Sequence, residues 1–247
     1  MSVAFVSDHP YMMSGLIGLA ITFALWLVAG PQRRTMLLAG IIFVPFCPIA
    51  GLFSDGSYWT NRHVDLGSIS PVHWFGGPVG IEDALFLFVA GARSWFFATF
   101  TRRAQWRPAG SARDFAVQAT AITAAAFVGL AAFRRIGIGD IASSYVIPAA
   151  IGVALLLANP ERWQLALSGG TGAALLAMIE LRAWFVLWPQ LRASWNPLAA
   201  TSSDILGVPA GDLLWWLIVG AVHPLVIARC ARVRRILPPL PQADQPR

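Results

Sequence analysis

The chain of 247 residues has little charge, two cysteines and no lysine. Charged residues make up 12% of it, roughly half the share of about 25% usual in a soluble domain, which argues against an ordinary globular fold in water. Cys47 and Cys230 form neither a Cys-x-x-Cys nor a Cys/His spacing and are expected to be ordinary thiols. The N-terminus has no basic stretch, and no small-residue cleavage site follows the first apolar run, so no cleavable signal peptide is expected. A Gly-rich phosphate loop, an Asp-Asp-x-x-Asp magnesium cluster and a Gly-x-Gly-x-x-Gly fingerprint after a strand are all missing. Their absence argues against diphosphate-ionising chemistry and against a tightly bound flavin. No cofactor is expected. No metal site is expected either, because His223 has no second histidine at a ligand spacing.

What the chain does have is apolar length. Hydrophobic residues make up 57% of it, and mean hydropathy is +0.63. A membrane span needs roughly 20 apolar residues. Seven stretches meet or approach that: 11–29, 35–53, 79–100, 115–133, 143–158, 164–187 and 207–228. The expectation is an all-α polytopic membrane protein with seven transmembrane helices. With the N-terminus outside, most arginines flanking the spans fall inside, and only Arg62, Arg134, Arg135 and Arg192 fall outside. Positive charge retains loops on the cytoplasmic side, so the predicted orientation in the cell's inner membrane is N-terminus out, C-terminus in. The net charge of +6 is read as this topology signal. No aromatic-interleaved basic surface suggests a nucleic acid partner.

One pattern occurs twice. An acid opens an apolar run in Asp83-Ala-Leu-Phe-Leu-Phe-Val-Ala-Gly-Ala92, and again in Asp212-Leu-Leu-Trp-Trp-Leu-Ile-Val-Gly-Ala221. Upstream of each stands a tryptophan, Trp59 and Trp195. Under the predicted topology both acidic runs pass from outside to inside. Two three-helix units can share one orientation only if a further span joins them, so two parallel three-helix repeats with a connecting helix are expected. The corresponding boundaries are 1–106 for the first repeat, 107–142 for the connector, 143–236 for the second repeat and 237–247 for a proline-rich, disordered tail.

Six Asp, Glu or Arg residues lie within the expected spans: Glu82, Asp83, Arg93, Glu180, Arg182 and Asp212. A charge in a bilayer is costly enough to need a partner or a purpose. Ten residues at about 1.5 Å rise separate Asp83 from Arg93 by roughly 15 Å, so those two are not expected to pair directly. Glu180 is a candidate to face inward. Around the acids stand aromatic side chains, among them Phe86, Trp95, Trp215 and Trp216. A buried acid beside ring faces in a water-poor pocket suits protonation of an alkene, because the rings attract the cation that forms.

These residues resemble a known family, the integral-membrane lycopene cyclases that use no flavin. In that family each half carries a loop tryptophan, a Pro-x-Glu-Glu or Pro-x-Glu-Asp motif and an aromatic-rich helix. Trp59 with Gly80-Ile81-Glu82-Asp83 resembles the first copy, and Trp195 with Pro209-Ala210-Gly211-Asp212 the second. Gly80 stands in place of the family's proline, and Gly211 in place of its first glutamate. The resemblance implies a redox-neutral cyclisation of a linear polyene. It makes Glu82, Asp83 and Asp212 the catalytic candidates, and Trp59, Phe86, Trp95, Glu180, Trp195, Trp215 and Trp216 the substrate-binding ones. The implied partners are a lipophilic polyene or prenyl substrate and the lipid bilayer, and a homo-oligomer is compatible with the sequence. Two alternatives stay open: a cyclase of a shorter prenyl or meroterpenoid substrate, and a non-catalytic transporter or interaction module on the same scaffold.

Overall fold

A computed structural model describes residues 9–46, 72–74, 77–100, 106–194 and 203–235. The described chain is all-α, with three two-stranded ribbons at the helix ends. Helix α1 (Pro10–Val28) ends at Gly30, whose φ of +58° suits glycine, and a 3-10 turn (Gly30–Gln32) leads into α2 (Arg33–Ile41). Strands β1 (Val72–Trp74) and β2 (Gly77–Val79) form an antiparallel hairpin that delivers the chain to α3 (Ile81–Thr99). Strand β3 (Trp106–Arg107) precedes α4 (Ala112–Arg135), which Ser111 and Asp114 cap reciprocally. Then follow α5 (Asp140–Ala158), a second 3-10 turn (Pro160–Arg162), α6 (Trp163–Leu187) and the short α7 (Pro189–Ser194). A second hairpin, β4 (Asp204–Ile205) with β5 (Val208–Pro209), leads into α8 (Ala210–Cys230), and β6 (Arg234–Arg235) pairs back with β3.

Among the described residues, four helical segments are long and apolar enough to cross a membrane: Pro10–Val28, Ala112–Arg135, Pro160–Leu187 and Ala210–Cys230. These correspond to the first, fourth, sixth and seventh expected spans. Of the other three, the fifth is the shorter apolar helix Ala142–Ala158. The third forms α3, a 19-residue helix that carries Glu82, Asp83 and Arg93. The second is an α-helix only as far as Ile41, after which a tighter turn covers 44–46 and the remainder lies outside the described residues.

Close contacts give the helix directions. Tyr11, Gly15, Gly18 and Thr22 of α1 meet Asp83, Leu85, Val89 and Arg93 of α3 in order, so these two helices run the same way. Likewise Tyr145 and Gly152 of α5 meet Gly211 and Val222 of α8. Helix α6 runs against α8, its Gly169 facing Pro224 and its Ala173 facing Gly220.

Asp83 and Asp212 stand 129 residues apart (212 − 83), and the same offset relates Pro31 to Pro160, Arg33 to Arg162, Gly40 to Gly169 and Gly91 to Gly220. These pairs occupy like places. Each proline lies in a 3-10 turn between two helices. Each glycine pair brings two backbones together: a Cβ on Gly91 would strike the Ala39 carbonyl oxygen, and one on Gly169 would lie 2.6 Å from the Gly220 carbonyl oxygen. Where the surroundings are lipid, apolar burial no longer drives helices together, and small residues that let backbones approach take over that role.

Two buried clusters flank these contacts. One joins Met36, Trp95, Trp106, Leu165 and Ile227; the other joins Tyr11, Leu181, Phe185, Trp188 and Val208. Helix α4 buries only Ala126 and Leu130 and leaves Val117 and Val128 exposed, so its apolar surface faces outward.

Alanine in place of glycine inside a helix is ordinarily favourable by about 1 kcal/mol. At Gly91 the clash is with a backbone oxygen that cannot rotate away, so Gly91→Ala should lower stability by about 1–3 kcal/mol, whereas Gly129→Ala, whose Cβ would sit 3.6 Å from Ile147, should be neutral or stabilising. Thermal unfolding of both variants in detergent checks the opposite signs.

Candidate functional site

Both acids of the duplicated pattern occupy the third position of a helix that leaves a hairpin. Gly80 is the N-cap of α3 in an extended conformation, and its amide N–H donates to Asp83 Oδ2 at 2.8 Å. That bond is half of a capping box. Pro209 is the N-cap of α8 and has no N–H, so Asp212 cannot receive the corresponding bond. Both carboxyls are buried, Asp83 to 3% exposure and Asp212 to 6%, and Glu82 beside the first is exposed by 1%.

Two tyrosines, one on α1 and one on α5, reach these helix ends. Tyr11 on α1 donates its hydroxyl to Asp83 Oδ1 at 2.8 Å, which with the Gly80 amide fixes both carboxylate oxygens. Tyr145 on α5 donates to the Gly211 carbonyl at 3.1 Å and lies within electrostatic reach of Asp212. Neither tyrosine stood out in the sequence. Each lies in an apolar run with no motif around it, and its partner is more than 60 residues away.

One turn further along, the two acid-bearing helices touch. The Phe86 ring lies 5.3 Å from that of Trp216, edge on, and 6.2 Å from that of Trp215, while the two tryptophans are 5.4 Å apart. Residues three or four apart share a helix face. Thus Asp83 and Phe86 lie along one side of α3, and Asp212, Trp215 and Trp216 along one side of α8. The rings of Phe86, Trp215 and Trp216 are brought together as a single aromatic contact between the helices.

Other candidates lie elsewhere. Trp95 is fully buried, donates Nε1 to Gln32 Oε1 at 3.2 Å and belongs to the core cluster at the opposite end of α3. Twelve residues at about 1.5 Å place it roughly 18 Å along the helix from Asp83. Glu180 pairs with Arg93. The guanidinium donates Nη1 to Glu180 Oε2 at 2.5 Å, Nε to Thr22 Oγ1 at 2.8 Å and Nη2 to the Gly18 carbonyl at 2.5 Å. This buried ion pair ties α1, α3 and α6 together, and Glu180 Oε1 is left without a hydrogen-bond partner. His223 is buried, with its ring 3.4 Å from that of Phe43. Trp59 and Trp195 lie outside the described residues. A groove of about 550 Å³ runs along the outer face of α6 beside the tip of the second hairpin, lined by Met178, Ile179, Arg182, Val186 and Leu206, and it does not include the acids.

No protein-family model matches the chain, and neither does any curated protein or solved structure.

Removing one partner of a buried ion pair leaves an uncompensated charge, which costs about 3–5 kcal/mol. Glu180→Leu should therefore destabilise the protein by that amount, and the double replacement Arg93→Met with Glu180→Leu should recover most of the loss. Unfolding of the three proteins in detergent measures the difference.

Proposed function

We propose that the chain is a membrane-embedded cyclase that closes an end ring of a linear, lycopene-type polyene by Brønsted-acid chemistry. One observation carries the reading. Two buried carboxyls stand at matching third positions of α3 and α8, and one turn below them the aromatic rings of the two helices meet. The likeness of the motifs around Asp83 and Asp212 to those of the flavin-independent lycopene cyclases supports it.

In this reading Glu82 or Asp83 gives a proton to the terminal double bond of the polyene. The next double bond attacks the resulting carbocation and closes a six-membered ring. Asp212, as base, takes a proton from the adjacent carbon, and the double bond that forms restores neutrality. No electron leaves the substrate, so no redox cofactor is needed. Phe86, Trp215 and Trp216 present ring faces that stabilise the cation. Tyr11 holds Asp83 in one orientation.

The proposed architecture is two parallel three-helix units joined by α4, with seven spans in all. The matched 3-10 turns, the matched glycine contacts and the outward apolar surface of α4 support it. The proposed topology puts the acid-bearing helix starts at the outer face of the inner membrane and the arginine-rich end in the cytoplasm. A second reading keeps this chemistry on a shorter prenyl chain, and Gly211, which leaves the second half one carboxyl, favours a third, a non-catalytic transporter or interaction module on the same scaffold.

Expression in a lycopene-accumulating host tests the proposal. The intact chain should shift the colour from red to yellow, and Asp83→Asn or Asp212→Asn should each abolish cyclic product while the protein stays in the membrane at its usual level. Retained cyclisation by both variants removes the carboxylates from the mechanism. Absence of any carotenoid product, with cyclisation of a supplied shorter prenyl chain, selects the second reading.

A further inference from the structure

The end of the molecule away from the acids is built around arginine. Strands β3 and β6 pair antiparallel so that Arg107 and Arg234 stand directly opposite one another, with Arg235 next along. Cross-strand partners are about 5 Å apart, and like charges there repel. Among the described residues no carboxylate or carbonyl pairs with Arg107 or Arg234, and both are exposed. Nearby acids are otherwise engaged or distant: Asp114 pairs with Arg232 at 2.9 Å, and Glu161 comes within only 3.9 Å of Arg162.

Behind the ribbon lies a second, independent sign of a missing anion. Arg162 is 9% exposed and donates Nη2 to the carbonyl of Val233, the residue just before β6, at 3.2 Å. Its Nε and Nη1 have no hydrogen-bond partner. Arg107 and Arg234 thus stand side by side on one short ribbon, with Arg162 held behind it at Val233 and Glu161, 3.9 Å from Arg162 Nε, serving that residue alone, and a bound anion would relieve the excess of positive charge. The ribbon is held rigidly for such a role. Gln32 donates Nε2 to the Trp106 carbonyl at 2.7 Å, and the amides of Ala109 and Gly110 both donate to the Ala231 carbonyl.

Position identifies the anion. The ribbon joins the segment leading into α4 to the segment leaving α8, two helices long and apolar enough to span, so in the membrane arrangement proposed above it lies at headgroup depth. Arginine presents a planar fork of donors that matches phosphate oxygens. We propose that the β3–β6 ribbon, through Arg107 and Arg234 with Arg162 behind them, binds the phosphate of an anionic phospholipid in the leaflet at this end.

Purified protein in neutral detergent would be titrated with dioleoylphosphatidylglycerol, dioleoylphosphatidylcholine and inorganic phosphate, with binding read by native mass spectrometry and by the shift in melting midpoint. Phosphatidylglycerol should bind and raise the midpoint, phosphatidylcholine and inorganic phosphate at equal concentration should not, and the effect should shrink as sodium chloride is added. Arg107→Gln with Arg234→Gln should weaken phosphatidylglycerol binding roughly 30-fold, the size expected for two arginines at an anionic surface. Arg107→Gln alone should weaken it roughly fivefold, which keeps the test open if the double variant does not fold. Arg192→Gln, at the opposite end, should leave it unchanged. Undiminished binding in the ribbon variants, equal binding of phosphatidylcholine, or an equal shift with inorganic phosphate would each overturn the lipid site.

Discussion

Backbone must touch backbone for this bundle to close. At Gly91 against Ala39, and at Gly169 against Gly220, the crossing helices approach so nearly that no side chain fits between them. Inside a bilayer the apolar faces of helices gain little by leaving lipid, and close van der Waals contact of this kind is what remains to hold them. The two contacts are 129 residues apart in each partner (220 − 91, and 169 − 40 for the neighbouring glycine), and Phe86 against Trp215, again 129 apart (215 − 86), brings α3 and α8 together at the same height along each helix. The Arg93–Glu180 bridge then fixes α3 to α6 across the two halves of the chain. Everything proposed for the acid end depends on that height.

The sequence shows clearly which groups are expensive and poorly which groups satisfy them. Asp83, Asp212, Glu180 and Arg93 stood out because ionisable residues in apolar runs need a reason. Spacing along the helix correctly separated Arg93 from Asp83, yet it could not name Glu180, 87 residues on, as the partner. Tyr11 carries no motif, and its bond to Asp83 exists only because α1 and α3 run side by side. Trp95 drew attention through its place in an aromatic-rich run, but helical rise carries it to the far core. Phe86, Trp215 and Trp216 were legible for the opposite reason: they fall three or four residues after an acid, a spacing that puts them on its side of the helix. Unbroken apolar character predicts the second span, and it does not reveal that α2 leaves α-helical geometry after Ile41.

The two ends of the molecule divide the chemistry. At one, buried carboxyls, tyrosine hydroxyls and rings gather at helix starts. At the other, arginines crowd a two-stranded ribbon and the 3-10 turns. The asymmetry suits the proposed orientation, with the arginine-rich end in the cytoplasm, and it places the proposed proton donors far from the proposed lipid phosphate site. Gly80 and Pro209 add a finer asymmetry. Only the first N-cap has an amide to donate, so Asp83 is tied to its own helix start as well as to Tyr11, and Asp212 is relieved of that duty.

The acid-bearing ends of α3 and α8 meet within one chain through Phe86, Trp215 and Trp216. Cysteines placed at Phe86 and Trp215, in a background with Cys47 and Cys230 replaced by serine, test it most directly in native membranes. An intramolecular disulfide should form under mild oxidation, at the same yield when the protein is diluted. No bond between these positions, even with a flexible bismaleimide in place of the oxidant, would contradict it.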